Sequence, residues 1–190
     1  MGSTVFLFHG TEGHPDIHWL GWLNRTLSAE GHAVIAPQFP SPPNEVPTKV
    51  DEWHDVLSEY ADQIDENTVF IGHSLGGLFA LRVLEKLAHK VKVAAIVASP
   101  LGVKPVNDVE RAEASSGYIF DWDTISANCD NFFVFYGEDD PYVAIGNGTL
   151  AAEKLRTDLI SVPNAGHFNT DSGYTSFSLL WETIRPVLSG

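Results

Sequence analysis

Only one cysteine, Cys129, stands in 190 residues, so no disulfide can form within the chain. That suits a reducing compartment, and a cytoplasmic location is the expectation. Cys129 itself reads as a small buried hydrophobe. Basic residues are scarce: 11 Lys and Arg against 25 Asp and Glu leave a formal charge of −14. Such a surface repels phosphate backbones and anionic bilayers, so neither nucleic acid nor a membrane is expected as a partner. No apolar run approaches the roughly 18 to 20 residues that span a bilayer. A strand-like run starts at Thr4 with no basic segment or small-residue cleavage site before it, so no secretory leader is expected. Met1-Gly2-Ser3 fails the myristoylation pattern because position 6 is Phe. Repeats, low-complexity tracts and an interdomain linker are also missing. The remaining expectation is one domain over residues 1–190, long enough for a sizeable core.

What is present alternates. Strand-like runs at 4–9, 32–36, 68–71, 93–98, 132–136 and 159–162 are separated by helix-like stretches at 17–30, 48–63, 75–89, 150–156 and 177–188. In 17–30, Leu20, Leu23 and Leu27 recur three and four apart, as one helix face requires. Val50, Trp53, Leu57, Tyr60 and Ile64 do the same in the next helix, with Thr48 as its N-cap. Residues 37–47 hold five prolines and read as a loop. Continuous apolar strands in β-α-β-α order predict an α/β fold: a mostly parallel, six-stranded sheet with helices on both faces. The longest irregular stretch, 99–123, carries Tyr118, Phe120 and Trp122, and Tyr118 and Phe120 are candidate pocket walls.

The chemistry is written at Gly72-His73-Ser74-Leu75-Gly76, a G-x-S-x-G between a strand and a helix. A serine there sits on a sharp turn, and glycines on either side leave room for it. The helix N-terminus behind it directs N–H groups and positive dipole toward the serine oxygen. A serine hydroxyl needs a base, and the base needs an orienting acceptor. Candidates follow in loops after strands, where a parallel sheet gathers its site. Gly137-Glu138-Asp139-Asp140-Pro141 offers the acid; Asp140 is preferred to Asp139, which is left beside it or in solvent. Gly166-His167-Phe168 offers the base. His73, one residue before the serine, is expected to project elsewhere.

A tetrahedral intermediate needs two oxyanion donors. The Leu75 N–H is one candidate; the other comes from His9-Gly10-Thr11-Glu12-Gly13, the Thr11 N–H first and the Glu12 N–H next. Glu12 and Trp19, beside that loop, are further candidates for the substrate pocket, although Trp19, Trp22 and Trp53 at helical spacing with leucines fit core packing first. His14 and His18 stand four apart, but Pro15 and the lack of a third ligand argue against metal. No cofactor is expected.

Taken together, these residues resemble the α/β-hydrolase superfamily, and within it the small serine hydrolases of the retinoblastoma-binding protein 9 type. The likeness spans nearly the whole chain. It is carried by His9-Gly10, His18-Trp19-x-x-Trp22-Leu23, Gly72-His73-Ser74-Leu75-Gly76, Ser116-Gly117-Tyr118, Asp139-Asp140-Pro141 and Gly166-His167-Phe168. The resemblance implies Ser74 as nucleophile, Asp140 as acid, His167 as base, and a compact core without a large cap domain. The expected activity is hydrolysis of small or medium acyl esters, thioesters or activated amides through an acyl-enzyme; an alcohol or amine could intercept the same intermediate. The alternative is a protein-interaction module on a hydrolase scaffold, although nothing in the sequence supports a protein partner.

Overall fold

The computed structural model describes residues 2–41, 50–103 and 118–189. Thr48, Ser116, Gly117 and the prolines at 42, 43 and 47 lie outside them. Six strands form one sheet: β1 Thr4–Phe8, β2 Ala33–Ile35, β3 Val69–His73, β4 Val91–Val97, β5 Cys129–Gly137 and β6 Leu159–Val162. Their order is β2-β1-β3-β4-β5-β6, and all five pairings are parallel. The expected mostly parallel sheet is thus wholly parallel among the described residues. Helices α1 Leu20–Ala29, α2 Val50–Ser58, α3 Leu75–Lys86, α4 Trp122–Ala127 and α5 Gly146–Leu155 lie between successive strands, and α6 Ser178–Leu188 follows β6.

Strand alternation divides the core in two. Val5, Leu7, Val69, Ile71, Val93 and Ala95 face α1 and α6. Phe6, Phe8, Phe70, Ala94, Ile96 and Val134 face α2, α3, α4 and α5. Successive residues of a strand point to opposite faces, so a sheet covered on both sides needs unbroken apolar strands. All five residues of β3 are buried, as are the first ten of α3. Strand and helix on either side of Ser74 therefore sit at the centre of the molecule. No helix among the described residues is long and apolar enough to cross a membrane.

Several boundaries differ from the sequence reading for local reasons. The first helix starts at Leu20 rather than Ile17, because His18 has φ 55° and interrupts the helical path. The second stops at Ser58, whose hydroxyl donates to the Asp55 carbonyl at 2.6 Å; Ala61–Gln63 is a separate 3₁₀ turn. Tyr60 and Ile64 still pack on the core. The third ends at Lys86, where the Asn128 amide donates to the Leu84 and Leu87 carbonyls, each at 2.9 Å. The fifth, which holds Leu150 as expected, begins at Gly146 and ends at Leu155. Glycines are poor helix formers, but a Cβ at Gly148 would lie 2.6 Å from the Tyr136 ring. Fully buried Asn147 takes the Leu101 and Val103 N–H groups and donates to the Val103 and Ala144 carbonyls, all within 3.0 Å.

Candidate active site

Ser74 stands between β3 and α3 with φ 53° and ψ −120°. A non-glycine residue with positive φ is uncommon and costs on the order of 1–3 kcal/mol, so its surroundings must hold it. They do so with main chain. The Ser74 N–H donates to the Val97 carbonyl at 2.8 Å, and the Gly77 N–H donates to the Ser74 carbonyl at 3.1 Å. The two elbow glycines have no space for a side chain. A Cβ on Gly72 would lie 2.4 Å from the Gly76 carbonyl carbon, and one on Gly76 would lie 2.2 Å from the Phe8 carbonyl oxygen. The sharp turn lets β3 and α3 pack this closely while leaving the half-buried Ser74 at the C-terminal edge of the sheet.

The loop after β1 comes to the same edge. A Cβ placed on Gly10 would lie 3.5 Å from Ser74 Oγ, so the loop passes directly beside the hydroxyl. The Gly10 carbonyl accepts from the Gly13 N–H at 3.2 Å and from His9 Nδ1–H at 2.8 Å. His9 Nε2 in turn accepts from the Phe39 N–H at 3.0 Å, which fixes the tautomer. Burial lowers the His9 pKa and favours this neutral ring. Because a trans peptide places C=O and N–H on opposite sides, gripping the Gly10 carbonyl also sets the direction of the Thr11 N–H. The Glu12 N–H donates to Ser41 Oγ at 2.6 Å, and Glu12 has φ 54° in an exposed position.

The acid and the histidine also meet here. His167 Nδ1 lies 2.7 Å from Asp140 Oδ2. The Asp140 side chain is 0% exposed and that of His167 11%, so little water competes for the bond. The other carboxylate oxygen, Oδ1, accepts the Tyr142 and Val143 N–H groups at 2.8 and 3.0 Å. An Asp in this loop bonds the backbone two and three residues on, which fixes the turn and leaves Oδ2 for the imidazole. Asp139 does something else: its Oδ1 accepts the Gly166 N–H at 3.0 Å. The structure thus brings Asp140, not Asp139, to His167, and brings Ser74, Leu75 and the Gly10–Thr11 loop to the same sheet edge.

Two features that the sequence did not reveal support the histidine loop. His73 does not project away from this region. It is buried, and its Nε2–H donates to the His167 carbonyl at 2.8 Å. Burial, and then the nearby His167, hold its pKa well below the usual histidine value, so the ring is neutral. The Tyr142 ring lies edge-on to His167, centroids 5.2 Å apart, and remains 39% exposed. Neither role has a sequence signal: the elbow motif places His73 but not its ring, and Tyr142 follows an ordinary Asp-Pro.

Three pocket candidates are corrected. Trp19 is fully buried, so it lines no open pocket; its indole N–H donates to the Phe168 carbonyl at 3.0 Å, and its ring packs against His73 and Phe177. Tyr118 donates to Glu85 and lies under the Arg82 guanidinium, 4.2 Å from ring centroid to Cζ. Glu85 is ten residues along α3 from Leu75, roughly 15 Å at 1.5 Å per residue. Phe120 packs between Tyr118 and Trp122, in a surface hollow shared with Glu153 and Arg156 at the far end of α5. Both residues therefore sit toward the opposite edge of the sheet. The stretch attaches to the length of α3, a docking that its apolar spacing alone could not locate. His18, considered with His14 as a metal ligand pair, instead takes the Thr170 N–H on Nδ1 at 3.1 Å. Among the described residues, no three His, Cys, Asp or Glu side chains are gathered as a metal ion would require.

A parallel sheet in this order, with a strained serine after β3 and carboxylate and imidazole in loops after β5 and β6, is an α/β-hydrolase fold. Within that class the chain belongs to the serine hydrolase family, whose model matches residues 5–188. It is 26% identical to YdeN of Bacillus subtilis (strain 168) over 189 residues, covering 100% of this chain and 98% of that protein. It is 27% identical to the serine hydrolase RBBP9 of Rattus norvegicus over 177 residues, covering 90% and 88%. The crystal structure of the B. subtilis ydeN gene product matches with a TM-score of 0.88 at 26% identity, over 99% of this chain and 100% of that one. A monoacylglycerol lipase of Paleococcus ferrophilus shares the fold, with a TM-score of 0.70 at 16% identity over 98% and 94%. The protein is thus a hydrolase of the serine type.

Proposed function

We propose that the protein cleaves small or medium acyl esters, and related thioesters or activated amides, through an acyl-enzyme on Ser74. The observation that carries this reading is the 2.7 Å His167–Asp140 contact, with the carboxylate fully removed from solvent at the sheet edge that also bears Ser74. His167 Nδ1–H donates to Asp140, which leaves Nε2 unprotonated and able to take the Ser74 proton. The serine oxygen attacks the acyl carbonyl. The N–H groups of Leu75 and Thr11 receive the oxyanion. His167 then passes its proton to the leaving alcohol or thiol. Water, deprotonated by His167, attacks the acyl group in a second cycle and frees Ser74.

The partner in this reading is a small-molecule acyl substrate. The charge of −14 still argues against polyanions. Thr11 enters as a main-chain donor, and Glu12 is an exposed carboxylate on the rim of the same loop.

The test is intact mass after exposure to a small fluorophosphonate, with Ser74→Ala in parallel. One adduct on the wild type and none on the variant is the expected result. A folded wild type that takes no adduct would overturn the reading. Product analysis with a competing alcohol then separates hydrolysis from acyl transfer.

A further inference from the structure

Three consecutive residues of the loop after β6 each have a main-chain group tied to a distant side chain. The Gly166 N–H donates to Asp139, the His167 carbonyl accepts from His73, and the Phe168 carbonyl accepts from Trp19. The three bonds measure 3.0, 2.8 and 3.0 Å. The loop needs such ties, because Phe168 has φ of 50°. A bulky residue in the left-handed region directly after the functional residue does not hold that shape by local preference.

We propose that His73 is a positioning residue for His167, in the base role given to it above. The proposal rests on that reading. Residue 73 directly precedes Ser74, so one dipeptide carries the nucleophile on its second residue and holds the base by the side chain of its first. The Ser74 backbone is fixed to β4 by its bond to Val97. The His73 ring is fixed to the His167 carbonyl. One link between nucleophile and base therefore crosses a single peptide unit, beside the Asp140 contact that reaches His167 from the loop after β5.

The His73 ring has little freedom to deliver that bond any other way. Its partner is a carbonyl oxygen, so Nε2 must carry the proton. Trp19 and His18 stand edge-on to it at 5.8 and 5.5 Å, and His167 lies at 5.0 Å. His18 is itself oriented: the Thr170 N–H donates to its Nδ1. The ring is confined on several sides and has one donor aimed at one acceptor. A leucine at 73 would fill much of the space and leave the carbonyl without its donor. His167 could then tilt about its remaining contact with Asp140. A displacement near 1 Å at a reacting group costs about 10²-fold in rate.

The test measures ester hydrolysis by the full-length chain, with kcat expressed per fluorophosphonate-titrated site. In His73→Leu, kcat should fall about 10²-fold while KM changes less than about threefold. The downfield proton resonance of the His167 Nδ1–H···Asp140 bond should broaden or disappear in the same variant. His73→Gln places an amide donor near the Nε2 position and should recover at least about tenfold of the loss. If the leucine variant does not fold, His73→Asn, whose amide stops about one bond short of the carbonyl, takes its place against His73→Gln. A merely structural bond would lower the number of titratable sites and leave kcat per site unchanged; that result, or equal rates in the short and long amide variants, would overturn the proposal. A wild type that takes no fluorophosphonate would instead overturn the functional reading and the positioning role with it.

Discussion

Around Ser74 the holding contacts are main chain against main chain; around His167 they are side chain against main chain. The elbow is packed so closely that Gly72 and Gly76 touch backbone where a Cβ would be. The histidine loop is reached by Asp139, His73 and Trp19 from 27, 94 and 149 residues away. The first arrangement is rigid because nothing else fits. The second is rigid only while each long-range donor or acceptor is present. Removing one polar atom should therefore disturb the histidine loop and leave the elbow intact, whereas adding one methyl should do the reverse.

The largest effect is expected at the acid. Asp140→Asn keeps the shape but not the charge and should reduce kcat about 10⁴-fold in ester hydrolysis. Asp139→Asn retains an oxygen for the Gly166 N–H and should cost about fivefold, the equivalent of about 1 kcal/mol. The reverse order would break the assignment of the two acids. At the elbow, Gly76→Ala presses a methyl against the Phe8 and His9 carbonyls and should destabilise the fold by about 3 kcal/mol in urea melts. A variant as stable as wild type would refute the packing account of the turn. Trp19→Phe removes the indole donor from a buried carbonyl and leaves a gap where the larger ring packed; a loss of at least about 2 kcal/mol is expected.

The smallest effect concerns pH. His73 is held well below the usual histidine value, and His54 is pushed down to about 4 by burial, then by Lys86 and Arg82. Unfolding returns both rings to about 6.5, where they bind protons that the folded state does not. Their contribution is thus fully present above pH 6.5 and is lost as pH falls from there toward 4. Tm should decline across that window, and His54→Leu should flatten the decline. An equally steep decline in that variant would remove His54 from the account.

The same contrast explains how much could be read from the chain alone. The elbow was legible because its requirements are local: five residues, with strand before and helix after, leave few other conformations. The Asp140–His167 pair was legible because strand-end loops of a parallel sheet converge. The ties to the histidine loop were not. No spacing rule connects Trp19 to Phe168, and the elbow motif that contains His73 does not say where its ring points. Tyr118 and Phe120 were misplaced because aromatic content says that a loop packs but not on which part of the molecule; Glu85 and Arg82 draw it along α3. Helix ends were shifted by single side chains such as Ser58 and Asn147, whose hydrogen bonds depend on what folding brings within reach.

Tyr142 divides its work between main chain and side chain. Its N–H helps to hold the Asp140 carboxylate, while its ring, still open to solvent, stands at the edge of His167. Every amino acid except proline supplies the same N–H. The residue can therefore be exchanged in an engineered library without withdrawing that support from the acid, and each exchange alters the polarity and breadth of the approach to the imidazole. Under the proposed function, position 142 offers a means of tuning selectivity that is separate from Ser74, Asp140 and His167.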